Sequence, residues 1–174
     1  MKVLITGGAG FVGSHAAEYY AQCGDDVIAF DNLSRSKSIY SKLSPSYNWE
    51  YLEKYENVER VKGDIRDVED LEKNANDVDV IIHAAAQVAV TPSMSNPRQD
   101  FELNALGTFN VLEAARKSKN NPAVVYCSTN KVYGDNVNTI PVEEGDTRYY
   151  FRDEKFLGGI SPDFPIDLTE HSPY

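Results

Sequence analysis

The chain has 174 residues and a formal net charge of −10, with 27 acidic against 17 basic side chains. Its 41% hydrophobic and 25% charged content suits one soluble globular domain, and the acidic balance excludes a reader of nucleic-acid phosphates, which needs a basic stripe. Cys23 and Cys127 are far apart, His15, His83 and His171 are scattered, and no apolar run reaches signal-peptide or membrane-span length; the expectation is a cytoplasmic protein without disulfide, metal or membrane contact.

The chain opens with an apolar strand, Val3–Ile5, that runs into Gly7-x-x-Gly10-x-x-Gly13 and a helix over Phe11–Gln22, ended by Gly24. Unpaired N–H groups and the dipole at that helix start attract an anion. Gly7 permits the tight turn, Gly10 lets a pyrophosphate approach the backbone, and Gly13 lets the helix pack closely on the strand. Val27–Phe30 reads as strand 2, 32–46 as a polar loop and 47–55 as a short helix. Strand 3 is expected at 58–62, a helix at 68–74 and strand 4 at 80–83. A long amphipathic helix follows over 99–117, with Phe101, Ala105, Phe109, Leu112 and Ala115 near one face, then strand 5 at 124–127. Alternating strands and helices predict an α/β fold, a doubly wound parallel sheet in the order 3-2-1-4-5. Residues 1–134 are expected to form this nucleotide-binding core. Residues 135–174 form an irregular segment with four of the eight prolines and no clear periodicity.

Residues at the carboxyl ends of the strands carry the chemistry. Asp31 closes strand 2, where the first βαβ unit aims an acid at an adenosine ribose; a carboxylate there favours NAD over NADP by repelling a 2′-phosphate. Arg35 nearby opposes that preference. Asp64 and Ile65 follow strand 3. They fit either an adenine site, with the carboxylate accepting from the amino group and Ile65 against the ring, or a plain helix-terminal acid. Ala84, Ala85 and Ala86 leave strand 4, and their small size suits a backbone lying against a dinucleotide or tight core packing. His83 reads as a packed, hydrogen-bonded histidine. Ser128 and Thr129 end strand 5, as hydroxyls near a nicotinamide or as a helix cap.

Together these residues identify a resemblance. TGGAGFVGS, DNLSR, GDIRD, HAAAQ, Asn104-x-x-Gly107-Thr108 and STNKVYG stand in the order and approximate spacing of the extended short-chain dehydrogenases that act on nucleotide sugars. Within that family, FDNLSR, HAAAQVAV, DFELNALGT, STNKVYGD and the closing HSPY most resemble the CDP-paratose 2-epimerases. The resemblance implies a Rossmann-type sheet, NAD as cofactor, a CDP-sugar as substrate and a homo-oligomer. It implies a cofactor lining of Gly7, Gly10, Phe11, Val12, Asp31, Asn32, Ser34, Arg35, Asp64, Ile65, Ala84, Ala86 and Gln87. Substrate contacts are implied for Gln87, Asn104, Thr129 and Asn130, with Thr129 and Tyr174 as the catalytic hydroxyls. The implied reaction is transient oxidation of the sugar C2 hydroxyl and its re-reduction on the opposite face.

Two departures from the pattern bear on that reading. None of the eleven tyrosines has a lysine four residues on, and the chain stops at Tyr174. It is therefore expected to be an N-terminal part, truncated before the substrate domain and inactive by itself. Asn130-Lys131 stands where dehydratases of the family carry Asp-Glu, which argues against a 4,6-dehydratase; that, another nucleotide-sugar epimerase and a non-catalytic NAD-binding module without the tyrosine–lysine pair are the alternatives. Arg148 and Arg152 are candidate phosphate contacts of a flap within 135–173.

Overall fold

The computed structural model describes residues 1–34, 47–88, 90–128, 136–156 and 158–160. The chain divides into two compact units, Met1–Cys127 and Ser128–Tyr174.

In the first unit five parallel strands, β1 (Lys2–Thr6), β2 (Asp26–Asp31), β3 (Val58–Lys62), β4 (Val80–His83) and β5 (Ala123–Tyr126), stand in the order β3-β2-β1-β4-β5. That is the expected doubly wound order, with the switch between β1 and β4. The register sets Thr6 beside Phe30 on one side and His83 on the other, so these strands end level at one edge. Side chains alternate across the pleat. Leu4, Ile28, Phe30 and Ile81 pack on one face with Leu71, Ala75, Val111 and Ala114 from helices α3 (Val68–Ala75) and α6 (Gly107–Lys117). Val3, Ile5, Val27 and Ala29 pack on the other with Ala17 and Ala21 of α1 (Phe11–Gln22) and with Leu52. Both faces of β1, β2 and β4 are covered, which is why these strands read as continuous apolar runs, whereas the edge strands β3 and β5 are partly exposed.

Local sequence explains where the helices begin. Asp67 caps α3, its side chain accepting from the Asp70 N–H, and Pro97 opens the short α5 (Pro97–Phe101) behind the Asn96 cap. The expected 47–55 helix is α2 (Tyr47–Tyr51) continued by a 3₁₀ turn, Leu52–Lys54.

Three expectations are corrected. The single helix over 99–117 is three pieces: α5, a π-helical turn at Glu102–Leu106, and α6. Its buried stripe is Gly107, Asn110, Val111, Ala114 and Ala115, while Phe101, Phe109 and Leu112 are exposed. Phe109 and Leu112 share α6 with the buried Val111 and Ala115, so an apolar rhythm by itself does not mark the buried face. A further short helix, α4 (Val90–Ser95), precedes α5. In the second unit, β6 (Val142–Glu144) and β7 (Tyr149–Phe151) form an antiparallel hairpin in the segment expected to be irregular. Three-residue strands are too short to show a period. No helix among the described residues is long and apolar enough to cross a membrane.

Candidate functional site

The glycine loop at the end of β1 is pinned before it reaches α1. The Gly7 and Gly8 N–H groups both donate to the Phe30 carbonyl of β2, at 2.8 and 3.2 Å. Gly7 has φ +73°, and a Cβ there would lie 2.7–2.9 Å from the Ala84–Ala85 backbone leaving β4. A Cβ on Gly13 would run into the Gly7 carbonyl. This corrects the role expected for Gly13: it closes the loop on itself. The glycine pressed against a strand is Gly8, whose Cβ would stand 2.9 Å from that of Ala29. Helix α1 starts at Gly10 with no side-chain cap and no acid in its first turn, and Phe11 and Val12 are exposed beside it. Its positive dipole end is left for an anion.

Asp31 and Asn48 hold the middle of the loop from opposite ends. Asp31 Oδ2 accepts from the Ala9 N–H at 3.0 Å, and Asn48 Nδ2 donates to the Ala9 carbonyl at 3.2 Å. Asp31 Oδ1 accepts from Leu33 N–H at 2.7 Å, holding Leu33 in the left-handed region at φ 56°. Each carboxylate oxygen offers two lone-pair sites, so both keep acceptor capacity beyond these bonds. Asn32 donates to Asp64 Oδ2 at 2.9 Å, and its own Oδ1 accepts from Ser34 N–H. The Arg66 guanidinium chelates Asp64 at 2.9 and 2.8 Å and, with Asn32 assisting, holds its carboxyl down at about 2. Asp64 is thus a fixed anion joining the β2 and β3 loops, and Asp67 is the helix-terminal acid. Ile65 turns its side chain into the core, against Gly107, and its carbonyl accepts from the buried Asn110 amide at 3.0 Å.

The exit of β4 is organised by side chains. Ala84 is half-buried and Ala86 exposed. Asn104, in the π turn, accepts from Gln87 N–H at 2.7 Å through Oδ1 and donates Nδ2–H to the Gln87 carbonyl at 3.1 Å. Its amide also donates to Asp100, which accepts from the Ser93 hydroxyl at 2.6 Å. Gln87, Asn104, Asp100, Ser93 and Met94 line a cavity of about 490 Å³. The buried His83 at the end of β4 contacts Thr6 and Thr108, and burial pushes its pKa down to about 4. The ring is neutral at physiological pH, as expected of a packed histidine.

The fold therefore gathers Gly7, Gly10, Phe11, Val12, Asp31, Asn32, Ala84 and Gln87 along the carboxyl edge of one sheet. Arg35, Thr129, Asn130 and Tyr174 lie outside the described residues. In the second unit the Arg148 guanidinium stacks on Tyr150, and Arg152 N–H donates to the Pro141 carbonyl. Sequence reasoning missed Asn48, Thr6 and Thr108 as supports. Only Thr108 carried a signal, through the Asn104-x-x-Gly107-Thr108 motif; the others act on partners distant in sequence.

Comparison with known proteins agrees with this geometry. A family model described as GDP-mannose 4,6 dehydratase matches residues 4–152. CDP-paratose 2-epimerase of Salmonella typhi is 42% identical over the whole chain, which spans 48% of that relative's length. A mutant UDP-glucuronic acid 4-epimerase from Bacillus cereus, solved with a fluorinated UDP-sugar and NAD, superposes with TM-score 0.66 at 29% identity, over 77% of this chain and 42% of that one. A dTDP-glucose 4,6-dehydratase double mutant from Streptomyces venezuelae, solved with NAD, gives TM-score 0.62 at 32% identity, over 77% and 41%. Glycine loop, strand order and these likenesses agree: the chain belongs to the GDP-mannose 4,6-dehydratase family of short-chain dehydrogenase/epimerase proteins.

Proposed function

We propose that this chain is the cofactor-binding half of an NAD-dependent nucleotide-sugar epimerase, and that its reaction is the 2-epimerisation of a CDP-sugar. The observation that carries the cofactor reading is the pre-set loop: Gly7 to Gly13 closed on itself, Ala9 held at both ends, and Asp31 beside an uncapped helix start. That cradle fits a pyrophosphate next to a ribose diol, with Asp31 accepting from the two hydroxyls. When bound, NAD supplies a reversible hydride acceptor. The chain's own residues bind and orient: Gly10, Phe11 and Val12 at the phosphates, Asp31, Asn32, Ser34 and Arg35 near the ribose, and Asp64 and the Ile65 backbone, its side chain being buried in the core, near the adenine. Ala84, Ala86 and Gln87 line the path toward the nicotinamide.

Residues 1–134 form the cofactor domain in this reading, and 135–174 lead to Tyr174, which takes the sugar proton while Thr129 holds the hydroxyl. Gln87, Asn104 and Asn130 meet the sugar. The CDP-sugar assignment is supported by the Salmonella relative, and epimerisation over dehydration by Asn130-Lys131 in place of an acid pair.

Titration calorimetry of the chain with NAD⁺ tests the first half. Saturable heat in the micromolar to millimolar range is expected, and none at millimolar NAD⁺ overturns the assignment. The second half is tested by incubating CDP-paratose with a version of this protein that includes the family's substrate domain. CDP-tyvelose should appear without net NADH; CDP-paratose left unchanged, with a 4-keto-6-deoxy product formed from a 6-hydroxylated nucleotide sugar such as CDP-glucose instead, would mean a dehydratase.

A further inference from the structure

Thr6, His83 and Thr108 come from β1, β4 and α6 and form a single file of hydrogen bonds beneath the Gln87 loop. Thr6 is fully buried and His83 is 2% exposed. The ends of the file decide its middle. The Thr108 hydroxyl donates its one proton to the Asn104 carbonyl at 2.7 Å, so toward His83 Nε2, at 3.0 Å, it only accepts. Nε2 therefore carries the ring proton. Nδ1 then accepts from the Thr6 hydroxyl at 2.7 Å, and the Thr6 oxygen keeps a lone pair for the Ala85 N–H at 3.4 Å.

The far end of this file is the π turn. Gly107 N–H reaches five residues back to the Glu102 carbonyl, and the Thr108 hydroxyl takes up the carbonyl of Asn104. A hydroxyl bonded back to the i−4 carbonyl distorts a regular helix, and a side chain in a widened turn is rotated off its regular phase. The rotated side chain is Asn104, whose amide makes both hydrogen bonds to the Gln87 backbone and forms one wall of the cavity.

We propose that His83, held as the neutral Nε2–H tautomer between Thr6 and Thr108, is a positioning residue: it fixes the π turn and thereby sets the Asn104 amide against Gln87. The ring is sealed from the cavity, so it acts through Thr108 and Asn104 and exchanges no proton with a ligand. The proposal goes beyond the cofactor reading and stands without a bound nucleotide.

Two measurements on the full chain decide it. Long-range ¹H–¹⁵N spectra near neutral pH should show the His83 ring protonated at Nε2 and bare at Nδ1; an Nδ1–H tautomer or a doubly protonated ring overturns the proposal. Hydrogen exchange at the Gln87 amide reads the clamp itself. Thr108→Val should lower its protection at least about tenfold while β1 and β2 amides keep theirs, and Thr108→Ser should restore it. Unchanged protection in the valine variant, or no recovery with serine, overturns it. Should the valine variant fail to fold, the tautomer of the unmodified chain decides alone. Neither readout requires NAD⁺, so failure here leaves the cofactor proposal standing, and silent calorimetry leaves this one standing.

Discussion

At the β1–β2 side of the sheet edge the backbone makes the surface, whereas at the β4–α6 side the side chains do. The glycine loop owes its shape to missing Cβ atoms at Gly7 and Gly13 and to main-chain bonds onto Phe30. The Gln87 loop owes its shape to Asn104, and through it to Thr108, His83 and Thr6. A surface made of backbone tolerates almost no added atom. One made of a side-chain file tolerates a change of shape but not the loss of a donor or acceptor, because the buried partner left behind goes unsatisfied.

The sharpest way to break the backbone side is Gly13→Ala. Its methyl would enter the Gly7 carbonyl, and the loop or α1 must shift; a loss of roughly 3 kcal/mol in stability, with NAD⁺ binding abolished, is expected by urea unfolding and calorimetry. The same substitution at Gly24, where a Cβ meets nothing but φ is +83°, serves as a control for backbone strain alone.

Acid separates the two sides next. Burial depresses the His83 pKa from 6.5 to about 4, so the unfolded chain takes up a proton that the folded ring refuses. Stability is therefore whole above about pH 6.5 and falls as pH drops toward 4, by about 2 kcal/mol at pH 5. The Asp64 carboxyl, held at about 2 mainly by Arg66, behaves in a lower window: its contribution is present above 3.8 and is lost only as pH falls toward 2. Unfolding midpoints that stay flat between pH 7.5 and 5 would remove His83 from the buried file.

Two smaller changes sharpen the reading of the cofactor edge. Asp31→Asn keeps an acceptor for only one of the Ala9 and Leu33 N–H groups and removes the charge that repels a 2′-phosphate. The NAD over NADP preference should shrink about tenfold, measured as a ratio of dissociation constants; an unchanged ratio would mean that Asp31 does not face the ribose. Asn48→Ala frees one end of the Ala9 peptide and should weaken NAD⁺ binding about fivefold, near the 1 kcal/mol of one hydrogen bond. Equal affinity would make Asn48 a bystander.

Much of this molecule is legible along the chain. The alternation of short apolar runs with helical stretches is enough for the sheet and its order, because the central strands β1, β2 and β4 are buried on both faces and read as apolar runs. The glycine spacing and Asp31 are local to one βαβ unit, so a linear reading reaches them. The region from 97 to 117 resisted that reading: Phe101, Phe109 and Leu112 keep an apolar rhythm but face solvent, the buried stripe is made largely of small residues, and the π turn leaves no mark in the periodicity. Asn48 and Thr6 were invisible for a different cause, as neither sits in a local pattern that reveals its partner.

The amino-acid order alone determined the layered α/β architecture, the glycine loop and the acid at the end of β2, each set by steric and periodic rules acting over a few residues. Tertiary structure alone decided which side chains hold the loops in shape: Asp31 and Asn48 on Ala9, Arg66 on Asp64, and the file from Thr6 to Asn104. The reason is geometric. A hydrogen bond requires two atoms within about 3 Å, and for Thr6 and His83, 77 positions apart in the chain, only the parallel register of β1 and β4 brings them there.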